Sequence, residues 1–311
     1  MESAFWQLGL ALFMEQTMNI AFVGDVHGRV FHCIAGLLSL QGRMGKTLDL
    51  VIQVGDFGYP FPERMDAPSK RYRELDATEG DVSRLFAAES PWAESFHLAR
   101  RKLGGPILFI RGNHEDFDWL RSLEVEAKLG IAKTDPYDLF RYVPDGAVLS
   151  FEGFRIAFMG GVEERTGDAG IEPQSYDHLL ALDAGYVDLL ITHQGPFGSS
   201  AGFRGDIHGS RLISELLSRL QPRFHVFGHA HQQTGPQALA HTTYLGLDAL
   251  VASAKWEPDA KGLKLGCFGV LDTESGDLRP IMDPWLAGFP TPFDFEEWIS
   301  GRWPGRMNQR D

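Results

Sequence analysis

Residues 20–28 read Ile20-Ala21-Phe22-Val23-Gly24-Asp25-Val26-His27-Gly28: a short apolar run that stops at a glycine and is followed by an aspartate and a histidine. Four further segments repeat the form. Leu48 to Val54 leads into Gly55-Asp56, and Ile107 to Ile110 leads into Arg111-Gly112-Asn113-His114-Glu115. Leu189 to Thr192 leads into His193, and Phe224 to Phe227 leads into Gly228-His229-Ala230-His231. Short apolar runs bounded by glycine or polar residues are the pattern of buried strands. The polar residues therefore collect just beyond strand carboxyl ends, where open α/β sheets place their sites. Carboxylate, amide oxygen and imidazole are the donors that suit borderline divalent cations. A thiolate-free set of this kind can hold two such ions side by side, an arrangement used on phosphate esters.

Between these runs, Val30 to Leu40 and Ser210 to Leu220 carry apolar residues at helical spacing, the second with Ser210 as N-cap. Ala147 to Phe151 and Arg155 to Met159 flank the turn Glu152-Gly153 as a hairpin, and Thr242 to Leu247, Leu265 to Asp272 and Leu278 to Met282 read as further strands. Strand–helix alternation followed by antiparallel pieces predicts an α/β fold of two packed mixed sheets flanked by helices. Two polar segments, Tyr59 to Gly105 and Val162 to Tyr176, follow strand ends and are placed to overhang the site. Lys70-Arg71-Tyr72-Arg73 and Arg100-Arg101-Lys102 within the first read as solvated helix faces. The organisation expected is an N-terminal extension over residues 1–17, one domain over residues 18–283 with a helical insertion at 59–105, and an aromatic tail at 284–311 that packs on the body or on another copy.

The 311-residue chain has a formal net charge of −13, which argues against broad electrostatic binding to nucleic acid or to an anionic membrane. Two cysteines, Cys33 and Cys267, fit neither a zinc motif nor a redox pair, and the composition suits the cytoplasm. Ala4 to Met14 is apolar, but Glu2 stands where a secretory signal has a basic start, so an amphipathic extension is expected. No stretch is long enough to span a bilayer. A homo-oligomer stays open.

Asp25 and His27, like His229 and His231, are separated by one residue, so on extended backbone their side chains would point the same way. Asp56 offers two oxygens and can bridge. Together these motifs resemble those of the calcineurin-like metallophosphoesterase superfamily: Asp-x-His, Gly-Asp, Gly-Asn-His-Asp/Glu, a lone His, and Gly-His-x-His, over about residues 18 to 282. The resemblance implies a four-layer αββα sandwich with a dinuclear centre. It implies one ion on Asp25, His27, Asp56 and His231 and a second on Asp56, Asn113, His193 and His229, with Mn the first expectation and Fe, Zn, Mg or Ni alternatives. It further implies a metal-activated water as nucleophile and His114 as general acid for the leaving oxygen.

Arg111 could contact phosphate or serve as an ion-pair partner, since both uses exploit its planar fork. His208 is a further candidate for substrate contact. Glu115 reads as a support for the ligands. Protein phosphatases of the superfamily carry Asp-Arg-Gly or Asn-Arg-Gly shortly after the second motif, whereas here Gly55-Asp56 continues Phe57-Gly58-Tyr59-Pro60. Without that carboxylate, nothing in the sequence says what orients His114. The segment from Gly209 to His231 resembles the phosphodiesterase-like branch. Gly-Asp-Phe and Gly-Asn-His-Glu are similar to RNA debranching enzymes, which have Cys at the position of Asp25. The expectation is a phosphodiesterase acting on a small nucleotide-like ester. A phosphomonoesterase or protein phosphatase and a debranching-like enzyme are the alternatives, and a non-catalytic scaffold comes last.

Overall fold

A computed structural model describes residues 17–65, 67–87, 90–201, 206–252, 262–291 and 293–302. The extension up to residue 16 and Trp303 lie outside the described residues.

The chain first lays down β1 (Asn19–Val23), helix α1 (Val30–Met44) and β2 (Leu50–Gln53). The overhanging segment follows as α2 (Ala67–Leu75), a 3₁₀ stretch over Ala77–Leu85 and α3 (Ala93–Leu103). Then come β3 (Ile107–Phe109), α4 (Phe117–Ser122), β4 (Val125–Glu126), β5 (Ile131–Lys133) and β6 (Phe140–Tyr142). A second sheet is started by the expected hairpin, β7 (Val148–Phe151) and β8 (Phe154–Met159), and continues through α5 (Pro173–Leu180) and β9 (Leu189–Thr192). A ribbon of β10 (Ser200–Ala201) and β11 (Ile207–His208) precedes α6 (Arg211–Leu220), β12 (Phe224–Phe227), β13 (Thr234–Leu239) and β14 (Thr242–Gly246). Finally β15 (Phe268–Asp272) and β16 (Asp277–Pro280) return to the first sheet, and α7 (Phe295–Ile299) closes the described chain.

The first sheet runs β16-β15-β1-β2-β3-β6-β5-β4 and the second β13-β14-β12-β9-β8-β7. Each has four parallel strands at its centre, β1-β2-β3-β6 in one and β14-β12-β9-β8 in the other, with antiparallel edges. The central strands β2, β9 and β12 are buried at every residue, as strands covered on both faces must be.

The period of two along the strands builds four layers. On β1, Ile20 and Phe22 point into the core between the sheets, where they meet Ile156, Phe158, Ile191 and Val226 of the second sheet. Ala21 and Val23 face the other way, into a core with Phe31 and Ile34 of α1, Phe96 of α3 and Trp298 of α7. On the second sheet Ala157, Met159 and Leu190 turn outward against Leu179 of α5 and Leu216 and Leu220 of α6. The order is helices, sheet, sheet, helices, as expected. Ser210 caps α6 through the Ile213 amide, 3.0 Å away. The described part of the aromatic tail packs on the body: Phe295 stacks on Phe31 at 4.7 Å, and Phe289 and Trp298 are buried in the same core.

This arrangement brings the carboxyl ends of β1, β2 and β3 next to those of β9 and β12. The five polar motifs leave the sheets there.

Candidate metal centre

The loops after β1 and β2 are tied together first. The His27 amide donates to the Asp56 carbonyl and the Gly28 amide to the Phe57 carbonyl, both at 2.8 Å. His27 therefore does not lie on extended backbone, as its spacing from Asp25 suggested; the loop folds back on its neighbour and His27 takes φ +46°. His229 and His231 correct the same expectation with φ +66° and +48°, and Asp56 stands at +54°. Side chains with a Cβ rarely adopt this left-handed region, and such strain gathers at sites where geometry matters more than local stability.

Two buried carboxylates organise the rest. Both oxygens of Asp25 accept the His229 amide at 3.1 Å. Asp56 Oδ1 accepts the amides of Asn113 and His114, each at 2.8 Å. Two glycines make these approaches possible. A Cβ on Gly112 would fall within the envelope of Asp56 Oδ1, and one on Gly228 would strike Asp25 Oδ1. Glu115 braces the same loops from behind, accepting the amides of Phe57 (2.8 Å), Gly112 (2.9 Å) and Gly58 (3.0 Å).

All seven ligand candidates converge. Asp25, His27, Asp56 and His231 form one group, and Asp56, His193 and His229 a second, with the donor atoms of each group within 4.8 Å of one another. Asp56 belongs to both. Asn113 joins the second group, its Oδ1 3.2 Å from His193 Nε2.

The chemistry of these contacts fits a cation. His193 Nδ1 lies 2.9 Å from the Val54 carbonyl, which can only accept, so the ring proton sits on Nδ1 and Nε2 presents a lone pair. That lone pair faces the Asn113 amide oxygen and, at 3.4 Å, Asp56 Oδ1. His27 Nε2 and His231 Nε2 face each other at 3.0 Å, with Asp25 Oδ2 3.1 Å from the latter and Asp56 Oδ2 3.8 Å from the former. Atoms this close must share a proton or a cation, and a donor set of carboxylate, amide oxygen and imidazole suits a divalent cation.

Protonation is divided: burial opposes a charge on His231, but its hydrogen bond to Asp25 and the charges of Asp25 and Asp56 hold it above its ordinary value. Burial pushes His27 down to about 3 and His229 down to about 4, which leaves both rings neutral and able to ligate. Burial also opposes ionisation of Asp25 and Asp56. The His231 hydrogen bond and the charges of His193 and His231 nevertheless hold Asp25 below the ordinary carboxylate value. His193, His27, His114 and His229 hold Asp56 far below it, since a proton taken up by any of these neighbouring rings as pH falls opposes protonation of the carboxylate.

A cleft of about 810 Å³ opens onto these groups. His27, Asn113, His114 and His231 form its floor. The insertion supplies Tyr59, Arg64, Met65 and Tyr72, α4 supplies Phe117 and Arg121, and the loop after β8 supplies Arg165 and Asp168. Both polar segments thus overhang the site, as their positions after strand ends suggested. The exposed side chains of Lys70, Arg71, Arg101 and Lys102 are the expected solvated helix faces.

His114 is held through its backbone by Asp56, and its ring meets the edge of His27 with centroids 5.8 Å apart. No hydrogen bond reaches the ring among the described residues.

Two substrate-contact candidates are corrected. Arg111 is buried and its fork is fully used: Nε binds Asp145 at 2.9 Å, Nη2 binds Asp145 and the Gly170 carbonyl, and Nη1 binds the Asp168 carbonyl. It is the ion-pair partner of the two readings its sequence position allowed. His208 pairs with Ser200 on the exposed β10–β11 ribbon and takes no part in lining the cleft. Arg64, Arg121 and Arg165 were not singled out by sequence. The segments of Arg64 and Arg165 could be recognised, but no spacing marks which of their residues turn inward.

Fold and site together define an α/β sandwich with a phosphoesterase-type metal centre. The family model of calcineurin-like phosphoesterases matches residues 18–233, and the chain belongs to that family. A UPF0046 protein of Caenorhabditis elegans, K07C11.7, is 26% identical over 147 residues, 44% of this chain and 50% of that protein. The human metallophosphoesterase domain-containing protein 1 is 36% identical over 75 residues, 23% of this chain and 22% of that protein. The chain thus spans half or less of the length of these curated relatives. One solved structure overlays with a TM-score of 0.53 at 14% identity, over 86% of this chain and 100% of that one, a likeness of fold alone. No described helix is long and apolar enough to cross a membrane.

Proposed function

We propose that this chain is a metal-dependent phosphodiesterase acting on a small, nucleotide-like phosphate ester. The observation that carries the reading is Asp56, shared between two adjoining groups of donor atoms. Asp25, His27, Asp56 and His231 would hold one divalent ion, and Asp56, Asn113, His193 and His229 a second. Such ions, when bound, lower the pKa of a coordinated water and offset the charge of a phosphoryl group. Mn²⁺ is the ion we favour; Fe, Zn, Mg and Ni suit the same donors.

The chain's own residues supply the rest. His114 stands on the cleft floor beside His27 and hands a proton to the leaving oxygen. Asp56 accepts the His114 backbone amide and would also ligate the ions, which ties the acid to the centre. Tyr59, Met65, Tyr72 and Phe117 give the cleft an apolar side for the organic part of an ester. The buried thiols of Cys33 and Cys267 suit a reducing cytoplasm.

The test is a parallel assay of bis-p-nitrophenyl phosphate and p-nitrophenyl phosphate with each of these metals in turn. Faster cleavage of the diester with at least one metal supports the reading. Preference for the monoester would move the chain to the phosphomonoesterases. Inertness with every ion would end the proposal.

A further inference from the structure

Four arginines line the cleft: Arg29, Arg64, Arg121 and Arg165. Arg29 is buried against Asp76 (2.9 Å) and Glu79 (3.1 Å). Arg64 sits 3.7 Å from Asp116 and over the ring of Phe61. Arg121 is paired with both Asp118 and Asp168. Arg165 is exposed to the cleft, and among the described residues no carboxylate comes within ion-pairing distance of it.

The loop that presents Arg165 is held on both sides. Before it, the Glu163 carboxylate accepts the Ser210 hydroxyl (2.7 Å) and the Arg211 and Leu212 amides (2.6 and 3.2 Å) at the start of α6. Glu164 accepts from Gln194 at 2.7 Å, the residue next to His193, and Gln194 in turn accepts the Glu163 amide at 2.9 Å. Beyond it, Arg111 grips the carbonyls of Asp168 and Gly170. The nearby acids Glu163 and Glu164 are thereby occupied elsewhere, and the guanidinium is carried by a braced turn. A guanidinium that lines the same cleft as His114 and has no ion-pair partner among the described residues keeps its fork free to take a phosphate in two hydrogen bonds.

We infer that Arg165 is a specificity-determining residue that binds a second, non-scissile phosphate of the substrate, so that the preferred esters carry two phosphate groups. The inference rests on the reading of the site as a phosphodiesterase centre. Arg111, which the sequence left between phosphate contact and ion-pair partner, acts one step removed as a positioning residue for the loop.

The experiment uses the full chain loaded with metal. Binding of thymidine 3′,5′-bisphosphate and thymidine 5′-diphosphate is compared by calorimetry with binding of thymidine 5′-monophosphate, for the wild type, Arg165→Gln and Arg165→Lys. At least one bisphosphorylated probe should bind the wild type about tenfold more tightly than the monophosphate. Arg165→Gln should erase that margin, and Arg165→Lys should keep part of it. Metal content and the affinity of the monophosphate should not change. A wild type that draws no advantage from a second phosphate, or an advantage that survives Arg165→Gln, overturns the assignment. Turnover separates the two readings. A chain that binds with the predicted margin but cleaves no diester keeps the Arg165 site and loses the enzymatic proposal. A chain that cleaves diesters without the margin does the reverse.

Discussion

The carboxylate of Asp25 receives the backbone amide of His229, 204 residues away in sequence, with both oxygens at 3.1 Å. The end of β1 in one sheet is thereby joined to the end of β12 in the other. Asp25 is also 3.1 Å from His231 Nε2, so one side chain places the loop and faces its ligand. The two roles separate by substitution. Asp25→Asn keeps an oxygen for the His229 amide but loses the negative charge; it should hold its melting temperature without metal and bind fewer ions per chain. Asp25→Ala should lose both, with about 1–3 kcal/mol of stability gone for the buried amide left unpaired. Metal analysis beside thermal unfolding in chelator checks the pair, and equal melting of the two variants would contradict the looping role.

Gly112 carries a sharper steric test. A Cβ there would collide with the Asp56 side chain and backbone nitrogen, both of which are fixed parts of the site. Gly112→Ala should destabilise by about 1–3 kcal/mol, as overpacking does, and should displace Asp56 enough to cut metal stoichiometry. Gly42→Ala, on the exposed face of α1 with nothing within 4 Å of the added methyl, is the control: it should leave metal content unchanged and stabilise by about 0.5–1 kcal/mol. Urea melts and metal content of both variants decide it.

Arg111 and Asp145 form a buried pair, and Asp145 also accepts the Gly160 amide at 2.9 Å. Arg111→Met strands the Asp145 carboxylate and frees the carbonyls of Asp168 and Gly170. The expected cost is about 3–5 kcal/mol, the usual penalty for breaking a buried pair from one side. Arg165→Gln, on an exposed side chain with no partner among the described residues, should cost about 0.5 kcal/mol or less. Denaturant unfolding of the two variants should differ accordingly; similar losses would mean that the loop is held by something other than Arg111.

Acid should expose a second kind of dependence, away from the metal ligands. The Thr192 hydroxyl donates to the Gln194 carbonyl at 2.6 Å, so His225 Nε2 must donate to that hydroxyl at 2.8 Å, and its buried Nδ1 has no partner. Burial pushes His225 down to about 3. The unfolded chain, with a histidine value of about 6.5, therefore binds more protons than the native state between roughly pH 3 and 6.5. Stability from this residue is complete above that window and falls as pH drops through it, by up to about 1.4 kcal/mol per pH unit. In chelator, the stability gap between wild type and His225→Gln should shrink by about 1 kcal/mol from pH 7.5 to 5.5. Parallel stability curves would show that His225 is not held neutral.

How far the sequence carried follows from which signals are local. The runs Leu189 to Thr192 and Phe224 to Phe227 became β9 and β12 residue for residue, because a buried parallel strand needs a mostly apolar run, broken here only by Thr192 and His225, and little else does. The ligand types were legible for a similar reason: Asp56 and His193 follow such runs directly. The short strands β4, β5 and β6 were not foreseen. Val125 and Glu126 of β4 are exposed, so the pairing leaves no burial pattern to read. The left-handed backbone at His27 and His229 was equally hidden, since their amides are held by the Asp56 carbonyl and the Asp25 carboxylate, far away in sequence, rather than by local preference. Arg111 and Arg165 show the limit most clearly. Which arginine meets a carboxylate is decided by Asp145, more than thirty residues away, and by the course of a loop that no periodicity describes.

His114 offers the most direct test of chemistry. Its amide is anchored to Asp56 while its ring lies on the cleft floor, so removal of the ring leaves the anchor intact. His114→Ala should therefore bind metal as the wild type does and unfold at the same temperature. Its turnover should fall about 10²- to 10⁴-fold on an alkyl ester, whose leaving oxygen needs a proton. The drop should be much smaller on a nitrophenyl ester, which departs without one. The ratio of the two losses is the measurement, because a ring that merely supported the fold or the ions would lower both rates together. A common loss on both esters would remove His114 from the role of acid.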